Sequence, residues 1–347
     1  MNISCETYDL KLRHPFNVSY ARTPSGAPHV RTIVYVRFEF DGVTGEGEAS
    51  PSKRYGESAE SVQEFVRSLS TKQLPVPYYK DAFLFAVDQH AAGNTAAKCA
   101  IDMAWHDWWC RANGASLREY LELRRLTHSG THRSSFTIGI DAIDMIEQKV
   151  REAEEYPILK IKLGTTDDER IMGAVRAATD KPLRVDANEG WHSREEALKK
   201  IEWLNRLNVE LVEQPLPVAM DGDMHWLKER SPLPLIADES CGRRDQMPGL
   251  PDRFHGVNLK LMKTTGIGEA IRMVPDLRDM GMSIMMGCFI ESSLAVTAAA
   301  HFAPYVDYAD LDGAALCEND PYRGATIDKG NIVVPHTPGI GAERRGN

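Results

Sequence analysis

The pattern of apolar and polar positions divides the chain near Ser134. Before this point, β-branched and aromatic residues predict strands over Ile3–Leu12 and Thr32–Phe40. Apolar residues at three- and four-residue steps then predict helices over Ser58–Leu69 and Asp81–Leu121. Strands grouped apart from helices are typical of an α+β unit.

After Ser134, short apolar segments recur about every 25 residues, which is the spacing of repeated βα units. The predicted strands are SSFTIGI, PILKIKL, PLRVDA, VELVEQ, LPLIADE, GVNLKLM, MSIMMG and YVDYADLD. Amphipathic helices separate most of them, although the segment between the fifth and sixth is broken by Pro and Gly. The pattern predicts an α/β fold, a modified TIM barrel of the (β/α)7β type whose last helix is missing or displaced.

Composition excludes several classes of partner. The chain is 42% hydrophobic and 26% charged, as in ordinary globular proteins, and its net charge of −9 argues against a nucleic-acid or anionic-membrane partner. No apolar run approaches the roughly 18 residues of a membrane helix. The first residues lack the pattern of a secretion signal, and the 6 cysteines form no CxxC pair. We therefore expect a cytoplasmic protein with reduced thiols.

Ionisable residues follow one predicted strand after another, at the end where the active site of a barrel lies. Asp186, Glu213 and Asp238 end three consecutive strands. A single strand-end acid caps the following helix about as often as it binds a metal, but three converging acids would repel each other without a cation. Hard oxygen ligands favour Mg²⁺, with Asn188 and Glu239 as neighbouring partners of the ligands.

Lysines occupy the second and sixth strands. Lys160 and Lys162 share one strand face, and each would lower the pKa of the other. Alternating lysines are more typical of a solvated edge strand, which does not fit a barrel interior. Alternation also predicts that Lys260 points inward and Lys263 points to the opposite face.

Two amines on opposite sides of the barrel mouth indicate a proton-transfer reaction, in which one group removes a proton from a carbon and the other returns it. A proton next to a carboxylate is hard to remove because the enediolate carries two negative charges. A cation bound to the carboxylate oxygens would stabilise that charge.

At these residues the chain resembles the enolase superfamily, in its muconate lactonising subgroup. The motifs that carry the resemblance are AIDMAWHDWWCRANGASL, LKIKLG, RVDANEGW, VEQPL, IADES, NLKLMKTTGI and GCFIESSL. The resemblance implies Mg²⁺ on the three acids, Lys162 and Lys260 as the acid/base pair, and Lys160 as the residue that tunes Lys162 and helps to hold the substrate carboxylate. We expect residues 1–120, with about 318–347, to form an α+β capping domain, and residues 121–317 to form the catalytic barrel.

Within the subgroup, the chain is most similar to the dipeptide epimerases. Their Asp-x-Asp at the eighth strand, which binds the α-ammonium of a dipeptide, matches Asp310 and Asp312, with an acidic turn as the alternative interpretation. The resemblance also puts Glu291 at the substrate.

Two loops of the first domain are expected to cover the barrel mouth, around Tyr20–Ser25 and around Ser52–Tyr55. Arg22 aligns with an arginine that reads an acidic side chain in Ala-Glu epimerases, although Lys53 and Arg54 could serve instead. Thr137 is predicted to line the pocket or to pack in the core.

The resulting hypothesis is a Mg²⁺-dependent dipeptide epimerase, an isomerase that moves the α-proton of the second residue of a dipeptide with a small first residue. Peptidoglycan peptide metabolism would be a setting for it. The alternatives are an N-succinyl amino acid racemase, an o-succinylbenzoate synthase or a cycloisomerase of the same subgroup, and, from another class, a non-catalytic metal-binding or assembly protein on the same barrel. The sequence leaves open whether the protein forms a homo-oligomer.

Overall fold

The structure is a computed structural model that describes residues 1–23, 28–122, 124, 126 and 133–346. The N-terminal part begins with an antiparallel meander of three strands, β1 (Asn2–Lys11), β2 (Val30–Phe40) and β3 (Val43–Ala49). β2 and β3 are joined by a two-residue turn at Asp41 and Gly42, whose φ values of 52° and 74° give the left-handed backbone that tight hairpins require.

Four helices follow the meander. They are α1 (Ala59–Ser70), α2 (Lys80–Gln89), α3 (Thr95–Ala112) and α4 (Leu117–Glu122). The stretch predicted as one helical region is therefore three helices, interrupted where Gly93, Asn94 and Gly114 adopt positive φ. Helix α3 packs directly on β3 because Gly45 and Gly47 have no side chain to hold the two backbones apart.

The rest of the chain builds a barrel of eight parallel strands, paired in sequence order from the first to the last. They are β4 (Phe136–Ile138), β5 (Leu159–Lys162), β6 (Leu183–Asp186), β7 (Val209–Glu213), β8 (Leu235–Ala237), β9 (Gly256–Lys260), β10 (Ser283–Gly287) and β11 (Tyr308–Asp310). The ends of the sheet meet through a parallel bridge between Ser134 and Ala309. The predicted modified TIM barrel is confirmed.

Six helices lie between these strands. They are α5 (Ile143–Glu152), α6 (Asp168–Ala178), α7 (Arg194–Asn205), α8 (Asp221–Lys228), α9 (Ile267–Asp279) and α10 (Ser293–Ala300). Between β8 and β9 the chain forms only two short 3-10 turns, as its Pro and Gly content predicted. Within residues 311–346 no barrel helix follows β11, so the architecture is (β/α)7β.

The C-terminal segment returns to the N-terminal part. It forms two small antiparallel sheets, one of β12 (Tyr322–Arg323) with β15 (Glu343–Arg344) and the other a hairpin of β13 (Thr326–Asp328) with β14 (Asn331–Val333). The backbone amide of Glu318 donates to the carbonyl of Lys11 at 2.8 Å, and that of Leu117 donates to the carbonyl of Gly339 at 2.8 Å. The segment thus completes the capping part, while the boundaries at residues 120 and 317 stay a prediction.

The barrel strands direct apolar side chains outward and charged ones inward. On β5, Leu159 and Ile161 pack among the surrounding helices, whereas Lys160 and Lys162 occupy the other face, and all four are buried. Charged groups enclosed in this way require partners of opposite charge. Across the described part of the chain, no helix combines the length and apolar character needed to span a bilayer.

Candidate active site

Strand register brings three of the predicted residues into one layer at the carboxyl end of the barrel. Lys162 pairs with Asp186, and Asp186 pairs with Glu213, on neighbouring strands. On the far side, Gly287 pairs with both Lys260 and Asp310. Because residues in register lie side by side, ionisable groups that are far apart in sequence meet at one end of the barrel.

Asp186, Glu213 and Asp238 converge as predicted. All three are buried, and one carboxylate oxygen from each lies within 4.8 Å of the others. Burial opposes the charged form of Asp186, but Lys162 and Lys160 outweigh it and lower its pKa to about 2. Burial and the charge of Asp186 raise the pKa of Glu213 to about 7.

The donor set of these acids fits a hard divalent cation. The Oε2 atom of Glu213 lies 2.7 Å from the ammonium of Lys160, yet among the described residues it receives no hydrogen bond of good geometry. A buried carboxylate oxygen without a hydrogen bond is costly, and a metal ion would satisfy it. Neither Cys nor His belongs to the cluster, so the ligands are those that Mg²⁺ prefers.

Lys160 lies at the centre of the carboxylates. Its ammonium is 2.7 Å from Glu213, 2.8 Å from Asp310 and 3.2 Å from Asp186. Burial works against its charge, but Asp310, Glu213 and Asp186 raise its pKa well above the usual value. Lys160 is therefore held as a fixed positive charge, which suits binding an anion better than accepting a proton.

Lys162 and Lys260 lie on β5 and β9, which are four strands apart in either direction around the eight-stranded barrel. The ammonium of Lys162 is 2.6 Å from Oδ2 of Asp186 and 5.9 Å from the centre of the Phe16 ring. That of Lys260 is 2.8 Å from Oδ2 of Asp238 and 5.3 Å from the centre of the Phe289 ring. Each amine thus lies close to a predicted metal ligand and to an aromatic ring, and the two amines are on opposite sides of the mouth.

Lys263 departs from its expected place. It is buried, and its ammonium contacts the carboxylate of Asp238, whereas alternation put it on the other face. Strand β9 ends at Lys260, and the amides of Lys263 and Thr264 both donate to the carbonyl of Lys260. This helical turn brings a residue three positions later back to the same side.

Asp310 and Asp312 both face the cavity at the end of β11. Asp310 accepts hydrogen bonds from Ser135 Oγ at 2.7 Å and from Lys160 at 2.8 Å. Asp312 accepts from the amide of Thr137 at 2.6 Å. Burial and the nearby charge of Asp310 raise the pKa of Asp312 to about 7, whereas Lys160 outweighs burial and lowers the pKa of Asp310.

A cavity of about 460 Å³ joins these groups to the capping part. Its barrel wall contains both predicted acid/base lysines, Lys160, Thr137, Asn188, Asp238, Glu239, Asp310 and Asp312. Its other wall comes from the capping part and includes Phe16, Tyr20, Arg31, Lys53, Arg54 and Tyr55. Asp186 and Glu213 lie deeper, with no exposed surface.

Residues beside the predicted ligands hold them in position. The amide of Asn188 donates to Asp186 at 2.9 Å, and its side chain donates to Glu239 at 3.3 Å. Sequence reasoning missed Asn258, whose side-chain nitrogen donates to Glu213 at 2.8 Å. The available signal was its position two residues before Lys260, on the same face of β9.

Two predicted substrate contacts lie elsewhere. Arg22 is exposed and borders a separate depression with Asp141, Asp144 and Glu147, so the structure does not bring it to the cavity. Glu291 is buried, and it accepts a hydrogen bond from the amide of Phe289 at 2.9 Å without lining the cavity.

Of the two predicted covering loops, the second contributes Lys53, Arg54 and Tyr55 to the cavity. The first contributes Tyr20, while its end at residues 24 and 25 lies outside the described residues.

Two family models together match most of the chain. The model described as mandelate racemase / muconate lactonizing enzyme, N-terminal domain, matches residues 6–121, and the enolase C-terminal domain-like model matches residues 144–346. The chain belongs to the enolase superfamily. The resemblance drawn from the sequence motifs is therefore confirmed.

Two epimerases align along nearly the whole chain. It is 40% identical to the L-Ala-D/L-Glu epimerase of Bacteroides thetaiotaomicron, over 98% of this chain and 87% of that protein. It is also 40% identical to the L-Ala-D/L-amino acid epimerase of Pedosphaera parvula, over 97% of each. Epimerases are isomerases, and the predicted enzyme class is confirmed.

A solved structure shares the arrangement of both parts. The dipeptide epimerase of Cytophaga hutchinsonii, complexed with Mg and the dipeptide D-Ala-L-Val, superposes with a TM-score of 0.90 at 27% identity, covering 99% of this chain and 96% of that one. In this enolase-superfamily chain, the buried acids Asp186, Glu213 and Asp238 could bind a metal ion, which is consistent with Mg²⁺.

Proposed function

We propose that the protein is a Mg²⁺-dependent dipeptide epimerase that inverts the α-carbon of the second residue. The observation that carries this proposal is the position of the Lys162 and Lys260 amines on opposite sides of one cavity. Inversion needs a base on one face of the α-carbon and an acid on the other, and general acid–base groups must lie within reach of the proton they transfer.

The two acids at the end of β11 support a substrate with a free amino group. Asp310 and Asp312 reach the same cavity as the lysines, and an ammonium group is a natural donor to two carboxylates. A dipeptide would place its N-terminal ammonium there and its second α-carbon between the two amines. Lys160 already pairs with Asp310, but a substrate without an amino group would bring no positive charge to Asp312.

Asp186, Glu213 and Asp238 would hold the magnesium ion, which supplies positive charge next to the carboxylate of the substrate. Lys160 adds a fixed positive charge beside them, since three carboxylates surround its ammonium. Both charges favour the enediolate form of the substrate, which has more negative charge on its oxygens than the starting dipeptide.

The proton transfer itself falls to Lys162 and Lys260. In one direction the neutral amine of Lys162 removes the α-proton, and the ammonium of Lys260 delivers a proton to the opposite face. In the other direction the two roles are exchanged. Both lysines are buried beside the aromatic rings of Phe16 and Phe289, which limits the access of water to their ammoniums.

Exchange of the substrate α-hydrogen in D₂O tests the proposal. With L-Ala-L-Glu and L-Ala-D-Glu as substrates, the wild-type protein should incorporate deuterium and interconvert the epimers with Mg²⁺ and not after treatment with EDTA. Lys162→Ala and Lys260→Ala should each reduce epimerisation by roughly 10²- to 10⁴-fold. Each variant should keep exchange with only one epimer, because the remaining lysine reaches a single face.

Lys199→Ala, which removes an exposed lysine on α7, is the matched control and should behave as wild type. Activity that persists in both catalytic variants would rule out the two-lysine mechanism. Turnover of N-succinyl amino acids in place of dipeptides would favour the related racemases instead.

A further inference from the structure

The capping wall of the cavity carries three cationic side chains with different surroundings. Arg54 forms a two-point ion pair with Glu189, with nitrogen–oxygen distances of 2.9 and 3.0 Å. Lys53 is exposed at the edge, where solvent screens its charge. Arg31 lies further inside on β2 and is half-buried.

Arg31 has no acidic partner among the described residues. Within residues 1–23, 28–122, 124, 126 and 133–346, no carboxylate forms an ion pair with its guanidinium, and no hydrogen bond to it is formed. The remaining residues contain neither Asp nor Glu in their sequence. Burial lowers the pKa of Arg31 from its usual value, as expected for a charge removed from water without compensation.

An unpaired, partly buried positive charge in a cavity calls for an anion from outside the chain. A guanidinium binds a carboxylate through two parallel hydrogen bonds, which gives both strength and orientation. The neighbouring lining residues Tyr20 and Tyr55 supply no negative charge near neutral pH, since burial raises the pKa of both phenols.

The other charges of a dipeptide are already matched, if the proposed function holds. The main-chain carboxylate belongs with Lys160 and the three acids deep in the barrel, and the ammonium belongs with Asp310 and Asp312. Neither group would remain for Arg31 on the capping wall. The part of the substrate left to meet this wall is the side chain of the second residue.

We infer that Arg31 is a specificity-determining residue that selects dipeptides whose second residue has an acidic side chain, by binding that carboxylate from the capping wall. This inference rests on the proposed function and adds the substrate class to it. It also differs from the role expected for Arg22, which lies outside the cavity beside Asp141 and Asp144.

Comparison of L-Ala-L-Glu with L-Ala-L-Gln tests the inference, because the two dipeptides have nearly the same shape and differ in one charge. The wild-type protein should prefer Glu in kcat/KM. Arg31→Gln should reduce this preference by roughly 10- to 100-fold, as expected for loss of a charged hydrogen-bonded pair. The change should appear mainly in KM for L-Ala-L-Glu, since the side chain is bound before and during proton transfer.

Four further variants test whether the preference depends on Arg31 itself or on another cationic side chain of the capping part. Arg37→Gln removes an exposed guanidinium from the same strand, outside the cavity, and should keep the wild-type preference. Arg22→Gln and Lys53→Gln should also keep it, and a loss of preference in either of them but not in Arg31→Gln would overturn the inference. Arg31→Lys retains the charge without the two-point geometry and should give an intermediate preference.

Circular dichroism and deuterium exchange with L-Ala-L-Gln would establish that each variant is folded and active. Equal preference in Arg31→Gln and wild type, or a wild-type protein that favours Gln, would overturn the inference alone. A wild-type protein that exchanges neither dipeptide would overturn the proposed function, and the inference with it.

Discussion

The ammonium of Lys263 lies 2.6 Å from the backbone oxygen of Asp238 and also contacts the carboxylate of that residue. It reaches the carbonyls of Asn258 at 3.1 Å and Cys241 at 3.2 Å as well. One buried lysine therefore satisfies acceptors from the end of β8, the following loop and β9. This arrangement fixes the backbone at Asp238, a predicted metal ligand.

Replacement of Lys263 by Met should lower the free energy of unfolding of the metal-free protein by about 1–3 kcal/mol, because it removes a donor to Oδ1 of the buried Asp238 carboxylate and to three carbonyls, while Lys260 still binds Oδ2. Urea denaturation in EDTA measures the change. Lys199→Met, at an exposed position of α7, should change it by no more than about 0.5 kcal/mol. If the two variants changed the free energy of unfolding by similar amounts, Lys263 would not stabilise the fold in this way.

Lys263 also shows where sequence reasoning reaches its limit. The predicted metal ligands could be chosen from the sequence because Asp186 and Glu213 end regular strands and Asp238 directly follows another, and the sheet repeats that position around the barrel. Lys263 lies beyond the end of β9, where the backbone turns and the two-residue period no longer applies.

Residues that reach the site from the capping part were predicted least well. Arg31 lies on a strand that is remote in sequence from every barrel residue, and its place in the cavity depends on how the two parts pack. The pattern of β2 reveals which face is apolar but not which neighbour covers it. Arg22 was chosen from a resemblance in a loop, where the backbone has no period to fix its direction.

The raised pKa of Asp312 predicts how substrate binding depends on pH. Burial and Asp310 raise this pKa to about 7, so the carboxyl gains a proton and loses its charge as the pH falls below that value. The KM for a dipeptide with a free amino group should therefore increase by up to about tenfold per pH unit below pH 7 at saturating Mg²⁺. Kinetics between pH 5.5 and about 8.5 measure this dependence.

Asp312→Asn is the informative variant for this prediction. The amide that replaces the carboxyl does not titrate. The KM of this variant should therefore be high and nearly constant over the same pH range. Asp310 should not contribute, because Lys160 keeps its pKa below the usual value. A wild-type KM that does not change between pH 6 and about 8 would contradict the assignment of Asp312 to the substrate ammonium.

Glu48 predicts a pH dependence of stability. It is fully buried on β3, accepts from the amide of Ser292 at 2.8 Å, and burial raises its pKa from 4.5 to about 7. The native state thus binds more protons than the unfolded state between these values. The stabilisation from this group is complete below about pH 4.5 and is lost as the pH rises to about 7, on the order of 3 kcal/mol in total.

Glu48→Gln removes the titrating group and keeps an acceptor for Ser292. Relative to wild type, this variant should gain stability between pH 5 and about 7 and change little above that, as measured by urea denaturation at each pH. Glu64→Gln, at an exposed position of α1, should keep a constant difference from wild type. A constant difference for Glu48→Gln as well would mean that Glu48 is ionised throughout.

Gly47 sets the distance between β3 and α3. A Cβ atom at this position would lie 2.0 Å from the carbonyl oxygen of Ala100 and 2.8 Å from the amide nitrogen of Ala104, closer than any van der Waals contact allows. Because both neighbours are helix backbone, neither can rotate away. Gly47→Ala should therefore push α3 off the sheet and cost about 3 kcal/mol or more in the free energy of unfolding.

The same substitution at Gly173 should have the opposite effect on the free energy of unfolding. Gly173 lies within α6, and a Cβ atom there would meet nothing within 4 Å. Alanine favours the helix and restricts the unfolded chain, so this variant should be more stable than wild type by about 0.5–1 kcal/mol. Urea denaturation of both variants measures the contrast. If Gly47→Ala were as stable as Gly173→Ala, the close approach of α3 to β3 would not depend on glycine.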